Sequence, residues 1–280
     1  MTLIRDVGAE LKRAAELIKD SDGILITAGA GMGVDSGLPD FRSEGGFWKH
    51  YPALAKARLG FTSIACPEAF HSTPQLAWGF YGHRLQLYRE TVPHQGFSIL
   101  KDWAEAKPNK SFVFTSNVDG QFQKAGFDPK SILECHGSIH YLQCLDNCNG
   151  QIWPAEEFEP LVDQENCLLI TEPPRCTDCG ALARPNILMF GDWGWIDARS
   201  RIQGVVFTHW IQRTKRPVVI EIGAGTDIPT VRMFGERQAC PVIRINLRES
   251  QVRREGDISL GMTALDGLLA LDAEVCGIYS

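Results

Sequence analysis

Ile24-Leu25-Ile26-Thr27-Ala28-Gly29-Ala30-Gly31-Met32-Gly33 is the stretch on which the fold turns. Its apolar start reads as a strand buried on both faces, and it runs straight into a glycine-rich turn. Gly29 and Gly31 let the chain reverse tightly and let backbone N–H groups approach a pyrophosphate with no side chain in the way. Ala28 and Ala30 belong to the same candidate cradle. The spacing falls short of a full G-x-G-x-x-G, because Val34 holds the third position and Gly33 comes one residue early. A turn that merely joins strand to helix is the competing reading, and the strand in front of it favours the dinucleotide site.

Working outward, further apolar runs recur at Ser111-Phe112-Val113-Phe114-Thr115, Ile187-Leu188-Met189-Phe190, Val218-Val219-Ile220 and Val242-Ile243-Arg244-Ile245. Near-continuous apolar strands separated by helical stretches predict an α/β fold with a parallel sheet covered on both faces. Residues 1–20 predict an amphipathic helix, with Ile4, Val7, Leu11, Ala14 and Ile18 recurring at three and four. Two regions break the alternation. Residues 45–90 are aromatic-rich and helical in pattern, and residues 139–184 carry paired cysteines, acids and prolines. The expected architecture is a Rossmann-type domain from 1–44, 91–138 and 185–280, with a smaller domain made by insertions 45–90 and 139–184.

The formal charge of −6 speaks against holding nucleic acid by bulk electrostatics. No apolar run is long enough for a membrane span, and no signal-peptide pattern opens the chain, so a cytoplasmic protein is expected. Nine cysteines, an odd count, do not read as a secreted disulfide framework. Four of them form two close pairs, Cys144/Cys148 and Cys176/Cys179, spaced C-x3-C and C-x2-C with 27 residues between. Each pair can bite one tetrahedral Zn²⁺ from a single turn, and together they make a closed structural site with no position left for water. Four unrelated thiols is the alternative. Cys66, Cys167, Cys240 and Cys276 have no partner pattern and are expected to be buried.

Gly37-Leu38-Pro39-Asp40-Phe41-Arg42-Ser43 follows the glycine turn. Here the chain resembles the sirtuin family of NAD-dependent protein deacylases, whose signature joins a Gly-Ala-Gly turn to Ser-Gly-Ile-Pro-Asp-Phe-Arg. Gly29, Ala30, Gly31, Ser36, Gly37, Pro39, Asp40, Phe41 and Arg42 match; Leu38 and Gly33 depart. The resemblance implies that Asp40, Phe41 and Arg42 sit in a loop over NAD, Phe41 covering an apolar ring and Arg42 meeting phosphate.

The likeness continues in order along residues 20–275. Thr115-Ser116-Asn117-Val118-Asp119 resembles the family's Thr-Gln-Asn-Ile-Asp, implying that Asn117 and Asp119 hold nicotinamide and its ribose; Ser116 stands in place of glutamine. An Asx turn that simply ends a strand is the other reading of this segment. Glu134-Cys135-His136-Gly137 resembles the catalytic His-Gly, implying His136 as general base. A lone histidine is more often structural, and Cys135 reads as packing. The zinc pairs follow His136 as in the family. Arg184-Pro185 to Gly191-Asp192 resembles the stretch that lines the acyl-lysine groove, with Asp192 in place of glutamate. Trp193-Gly194-Trp195 departs from the usual continuation: the two indoles either cover the groove or pack on the insertion. Gly223-Ala224-Gly225-Thr226-Asp227 resembles the family's Gly-Thr-Ser segment near phosphate and ribose, with Asp227 where serine is usual, and Asn246 would meet the adenosine ribose.

The resemblance thus implies two cofactors, NAD and Zn, an acyl-lysine protein or peptide as substrate, and neither nucleic acid nor membrane as partner. His136 and Asn117 are the implied catalytic residues; nicotinamide, free lysine and O-acyl-ADP-ribose are the implied products. ADP-ribosyl transfer, NAD hydrolysis and a non-catalytic NAD sensor are rivals that use the same constellation. A plain NAD-linked dehydrogenase leaves the zinc pairs and the Pro39-to-Arg42 string without a role.

Overall fold

A computed structural model describes residues 6–40 and 44–277, the side chains of 44–46 aside. The chain opens with helix α1 (Val7–Asp20), which starts where the Asp6 carboxylate caps the Gly8 N–H at 3.0 Å. Strand β1 (Gly23–Ala28) follows, fully buried as its apolar run predicts. Two single 3₁₀ turns, Ala30–Met32 and Val34–Ser36, replace the long helix of a standard dinucleotide turn.

Residues 44–90 are helical: α2 (Glu44–His50), α3 (Pro52–Lys56), α4 (Phe61–Ile64), α5 (Pro67–Ser72) and α6 (Pro74–Glu90). Then come α7 (Gln95–Glu105), β2 (Ser111–Thr115), α8 (Gln121–Lys124), β3 (Ile132–Glu134) and β4 (Gly137–Cys144). Short strands β5 (Ile152–Pro154), β6 (Val162–Asp163) and β7 (Leu168–Leu169) lead to β8 (Ala183–Ile187). The chain closes with α9 (Ala198–Arg213), β9 (Pro217–Ile222), α10 (Thr230–Glu236), β10 (Val242–Ile245), β11 (Ile258–Leu260) and α11 (Ala264–Val275).

Six strands form one sheet in the order β11-β10-β9-β1-β2-β3, every pair parallel. Numbered among themselves, these strands run 3-2-1-4-5-6, the Rossmann order, and the direction of winding switches between β1 and β9. One core lies on the face covered by α1, α7 and α11, with Ile18, Leu100, Leu268 and Leu271 packed on Ile26, Val113 and Ile245. The other face is covered by α9 and α10 through Phe207, Trp210 and Val231. Arg244 and Glu221 are register partners on β10 and β9 and form a buried ion pair at 2.5 Å inside this sheet.

A separate apolar core joins the helices of residues 44–90 to β4 and β8. Phe47, Trp78, Phe80 and Tyr81 pack on Ile139, Leu142 and Ile187, and β5-β4-β8 form a small antiparallel sheet beneath them.

Three expectations are corrected. Ile187-Leu188-Met189-Phe190 is not a strand of the parallel sheet: β8 ends at Ile187, pairs antiparallel with β4, and leaves Leu188 and Phe190 partly exposed. Cys167 and Cys240 are buried, but Cys66 is half-buried and Cys276, the C-cap of α11, is exposed. Val7 is half exposed in the first turn of α1, ahead of buried Ala14 and Ile18, and Ile4 lies outside the described residues.

Candidate active site

A cavity of about 440 Å³ opens at the carboxyl ends of the parallel strands, across the point where the strand order switches. Backbone polar groups and loop side chains gather at such a crevice because every parallel strand delivers its loop to the same side. The loop after β1 brings Gly29 and Ala30, and the loop after β9 brings Gly223, Ala224 and Gly225. These loops touch. A Cβ on Gly29 would meet the Ala224 Cα at 2.8 Å, and one on Gly223, at φ +61°, would meet the Gly31 backbone at 2.4 Å. Only glycine allows that approach at both places.

The loop after β2 supplies Ser116, Asn117, Val118 and Asp119. Thr115 Oγ1 receives the Asn117 N–H at 3.0 Å, and the Asn117 side-chain Nδ2 donates to the Gly29 carbonyl at 3.0 Å, which locks the β2 loop against the glycine turn. Asp119 is buried, and its Oδ1 accepts the Gln121 N–H at 2.9 Å. Burial pushes its carboxyl up to about 6, the nearby Glu134 charge adding to the rise and the Gln121 bond opposing it. Gly120 adopts φ +70° with the His140 ring against it, and His140 Nε2 bonds the Asp119 carbonyl at 2.9 Å.

His136 follows β3 and faces the same cavity. Burial lowers its pKa below the usual imidazole value, while a hydrogen bond to the Ser116 backbone carbonyl works in the other direction. A ring that is neutral near pH 7, with one nitrogen held by a carbonyl, leaves the other nitrogen free to accept a proton.

Away from the cavity, the Sγ atoms of Cys144, Cys148, Cys176 and Cys179 all lie within 4.8 Å of one another. Cys144–Cys179 and Cys148–Cys176 are each 3.6 Å apart. Four thiolates at a Zn–S distance of roughly 2.3 Å around a tetrahedron stand about 3.8 Å apart, so this cluster fits Zn²⁺ and leaves no position for water. β4 delivers Cys144, and tight turns with Asn147 at φ +49° and Gly180 at φ +73° bring in the others.

The model of the Sir2 family matches residues 29–205, which include the glycine turn, the Asn117 and His136 loops and all four zinc-site cysteines. This chain belongs to the Sir2 family. An NAD-dependent protein deacylase of Aquifex aeolicus is 29% identical to it over 247 residues, 88% of this chain and 92% of that one. One from Pyrococcus furiosus is 35% identical over 63% of each chain. The mitochondrial deacylase sirtuin-5 of the dog is 31% identical over 60% of this chain and 56% of its own length. The chain therefore spans nearly all of the first relative and less than two thirds of the other two. A Sir2 homologue solved as a complex with NAD shares the fold, with TM-score 0.70 at 22% identity over 96% of this chain and 95% of that one.

In this Sir2-family chain the cavity collects Gly29, Ala30, Asp40, Ser116, Asn117, Asp119, His136, Gly223, Gly225 and Asp227 of the residues singled out in the sequence. Phe41 and Arg42 lie outside the described residues. Four others stand behind the wall. Ala28 is buried at the end of β1 and accepts Thr115 Oγ1 on its carbonyl. The Gly31 N–H, expected to face phosphate, donates to the Gly223 carbonyl at 3.0 Å. Thr226 bonds Glu249, and Asn246 is buried with its amide on the Ala224 carbonyl and its oxygen on the Arg248 and Glu249 N–H groups. Asn246 thus shapes the loop that carries Glu249 to the cavity.

Glu249 itself was missed in the sequence, as were Tyr81, Arg84 and Tyr88 of α6. The last three stand at helical spacing on one stripe, and the sequence signal was an arginine set among aromatics; in the fold Arg84 is buried with Nη2 on Tyr88 Oη at 2.7 Å.

Proposed function

We propose that this chain is an NAD-dependent protein-lysine deacylase, releasing nicotinamide, free lysine and O-acyl-ADP-ribose. The observation that carries this reading is the meeting of Asn117, Asp119 and His136 with two glycine loops in one cavity at the switch point of the sheet. NAD, a co-substrate, supplies the ribose carbon: the acyl oxygen bonds to it as the nicotinamide–ribose bond breaks, and one water later takes the place of the lysine amine on the acyl carbon. Ala30 and Gly225 give backbone close enough to hold its phosphates, the Gly29 and Gly223 N–H groups being spent on the Ile222 and Ile245 carbonyls, with Arg42 as a further phosphate partner and Phe41 as a cover. Asn117 and Asp119 hold the nicotinamide end. His136, neutral near pH 7, takes a proton from a ribose hydroxyl so that the acyl group migrates. Leu188, Met189 and Phe190 form an apolar wall for the acyl-lysine chain and exclude water. Arg84 and Tyr81 line the same cavity, and a buried guanidinium there favours an acyl group ending in a carboxylate over a plain acetyl group.

The zinc cluster holds the turns after β4 and before β8 together and takes no part in the chemistry. Among the described residues no helix is long and apolar enough to cross a membrane. Four cysteines gathered as zinc ligands need a reducing compartment to stay able to bind metal, and we place the chain in the cytoplasm.

A second reading, NAD hydrolysis or ADP-ribosyl transfer, is favoured by one observation: Ser116 lines the cavity where the family usually has the longer glutamine, leaving room for water or another acceptor. Nicotinamide release with and without acyl-lysine peptides separates the readings. Release that requires peptide, with O-acyl-ADP-ribose formed, supports the deacylase. Release without peptide points to hydrolysis or ADP-ribosyl transfer, and NAD binding with no release at all to a sensor.

A further inference from the structure

β3 is the last strand of the parallel sheet, so the backbone groups of Glu134 that face outward meet no further strand. Side chains of α9 take that place. Gln203 Oε1 accepts the Glu134 N–H at 3.1 Å, and Ser200 Oγ donates to the Glu134 carbonyl at 2.8 Å. Arg199 Nη2 donates to the Glu134 carboxylate at 2.9 Å, and the Glu134 side chain is buried. The same guanidinium lies over the Tyr141 ring of β4, 3.7 Å from its centroid. Arg199 therefore bridges β3 and β4, the two strands that flank His136. The corner between them is tight: Gly137 turns at φ +76°, and the Leu188 N–H bonds the His136 carbonyl at 2.9 Å. Glu134 Oε1 and Arg199 Nη1 are buried, and each lacks a hydrogen-bond partner among the described residues. A buried ion pair left incomplete in this way recovers little of its desolvation cost. Its use lies in where it fixes the chain.

We propose that Arg199 is a positioning residue for His136: by bridging Glu134 and Tyr141 it keeps β3 and β4 at the spacing that seats the imidazole in the cavity. The kinetic part of this rests on the deacylase reading. Arg199 is not among the residues that line the cavity, so it acts through Glu134 and Tyr141. His136 works after the nicotinamide–ribose bond has broken. A displaced imidazole therefore slows acyl migration and leaves the earlier step alone, and a shift of about 1 Å is enough for a large loss.

The test compares Arg199→Lys, Arg199→Met, and Arg199→Met combined with Glu134→Gln. Lysine keeps a charge on Glu134 and over the Tyr141 ring. The double variant strands no buried carboxylate, so its Tm should return close to that of wild type, yet the bridge is still missing. With acyl-lysine peptide present, exchange of labelled nicotinamide into NAD reports the step before His136 acts. O-acyl-ADP-ribose formation reports the step that His136 serves. The double variant should keep the exchange rate and the KM for NAD but form product about tenfold more slowly. Arg199→Lys should stay near wild type. In NMR spectra the His136 ring signals, identified by their loss in His136→Gln, should move in the double variant and not in Arg199→Lys. Product formation at the wild-type rate in the double variant overturns the proposal, as does a loss shared equally by exchange and product. If wild type shows no peptide-dependent turnover, the deacylase reading falls and the ring signals decide the positioning. Displaced signals in the double variant then support it, and unmoved ones overturn it.

Discussion

The Arg184–Asp192 pair is the point at which stability and the shape of the cavity meet, and Asp192→Ala tests both. The two side chains are 1% and 0% exposed, and the carboxylate also caps two backbone N–H groups. Deleting it leaves a buried guanidinium held by the Ile187 carbonyl at 3.2 Å. Breaking a buried pair from one side costs about 3–5 kcal/mol, far more than an exposed pair would. For a chain of this size each kcal/mol moves Tm by roughly 2–4 °C, so a fall of at least about 6 °C is expected in a thermal melt. Arg184→Met in the Asp192→Ala background should recover part of the loss, because the stranded charge is gone while the Met189 and Gly194 N–H groups stay uncapped. The Met189 and Gly194 tethers go with the carboxylate, so peptide KM should rise even at temperatures where the variant is folded. An Asp192→Ala protein melting within about 2 °C of wild type would refute the reasoning, since no buried charge could then have been stranded.

Further outcomes are expected. His136→Ala should lose on the order of 10²-fold or more in turnover while still binding NAD in calorimetry; near-normal turnover removes His136 as the base. In the pH profile, two groups can form the acid limb: His136, the proposed base, whose pKa burial lowers below the usual imidazole value, and Asp119, whose carboxyl is pushed up to about 6. Activity should fall as pH drops through about 6 and Asp119 takes a proton, and a limb unchanged in Asp119→Asn would discard that assignment. Zinc stripped by a strong chelator at neutral pH should release about one ion per chain, and circular dichroism should report loss of the β4–β8 region, with the parallel sheet retained. Retention of all structure after removal would mean that the four cysteines do not need a metal.

The strands of the parallel sheet were legible because burial on both faces leaves a plain apolar run. β1, β2, β9 and β10 were each visible in that way. β11 escaped notice: it is three residues long at the sheet edge, with Ser259 between Ile258 and Leu260, too short for a period to declare itself. The zinc site was legible from spacing alone, since a metal that closes on two short turns imposes its geometry on the sequence.

Where the reading failed, the reason is that apolar runs and polar turns each have two uses. Ile187 to Phe190 looks like β1 in composition, yet it leaves the sheet after Ile187 and spends its hydrophobicity on the wall of a cavity, an apolar surface kept for a ligand that the sequence cannot announce. The glycine turn shows the converse. Its Gly31 was read as a phosphate contact, but the N–H is spent on Gly223, so what the glycines provide is contact between the loops after β1 and β9. Since the strand order switches between those two strands, their loops would otherwise splay apart and leave a wide cleft; a Cβ at Gly29 or Gly223 would force that separation. The close pairing of the loops, together with Asn117 reaching the Gly29 carbonyl from β2, is what brings Asp119 and His136 into one cavity with the two glycine loops. The long-range closure, more than any single motif, makes the constellation a site.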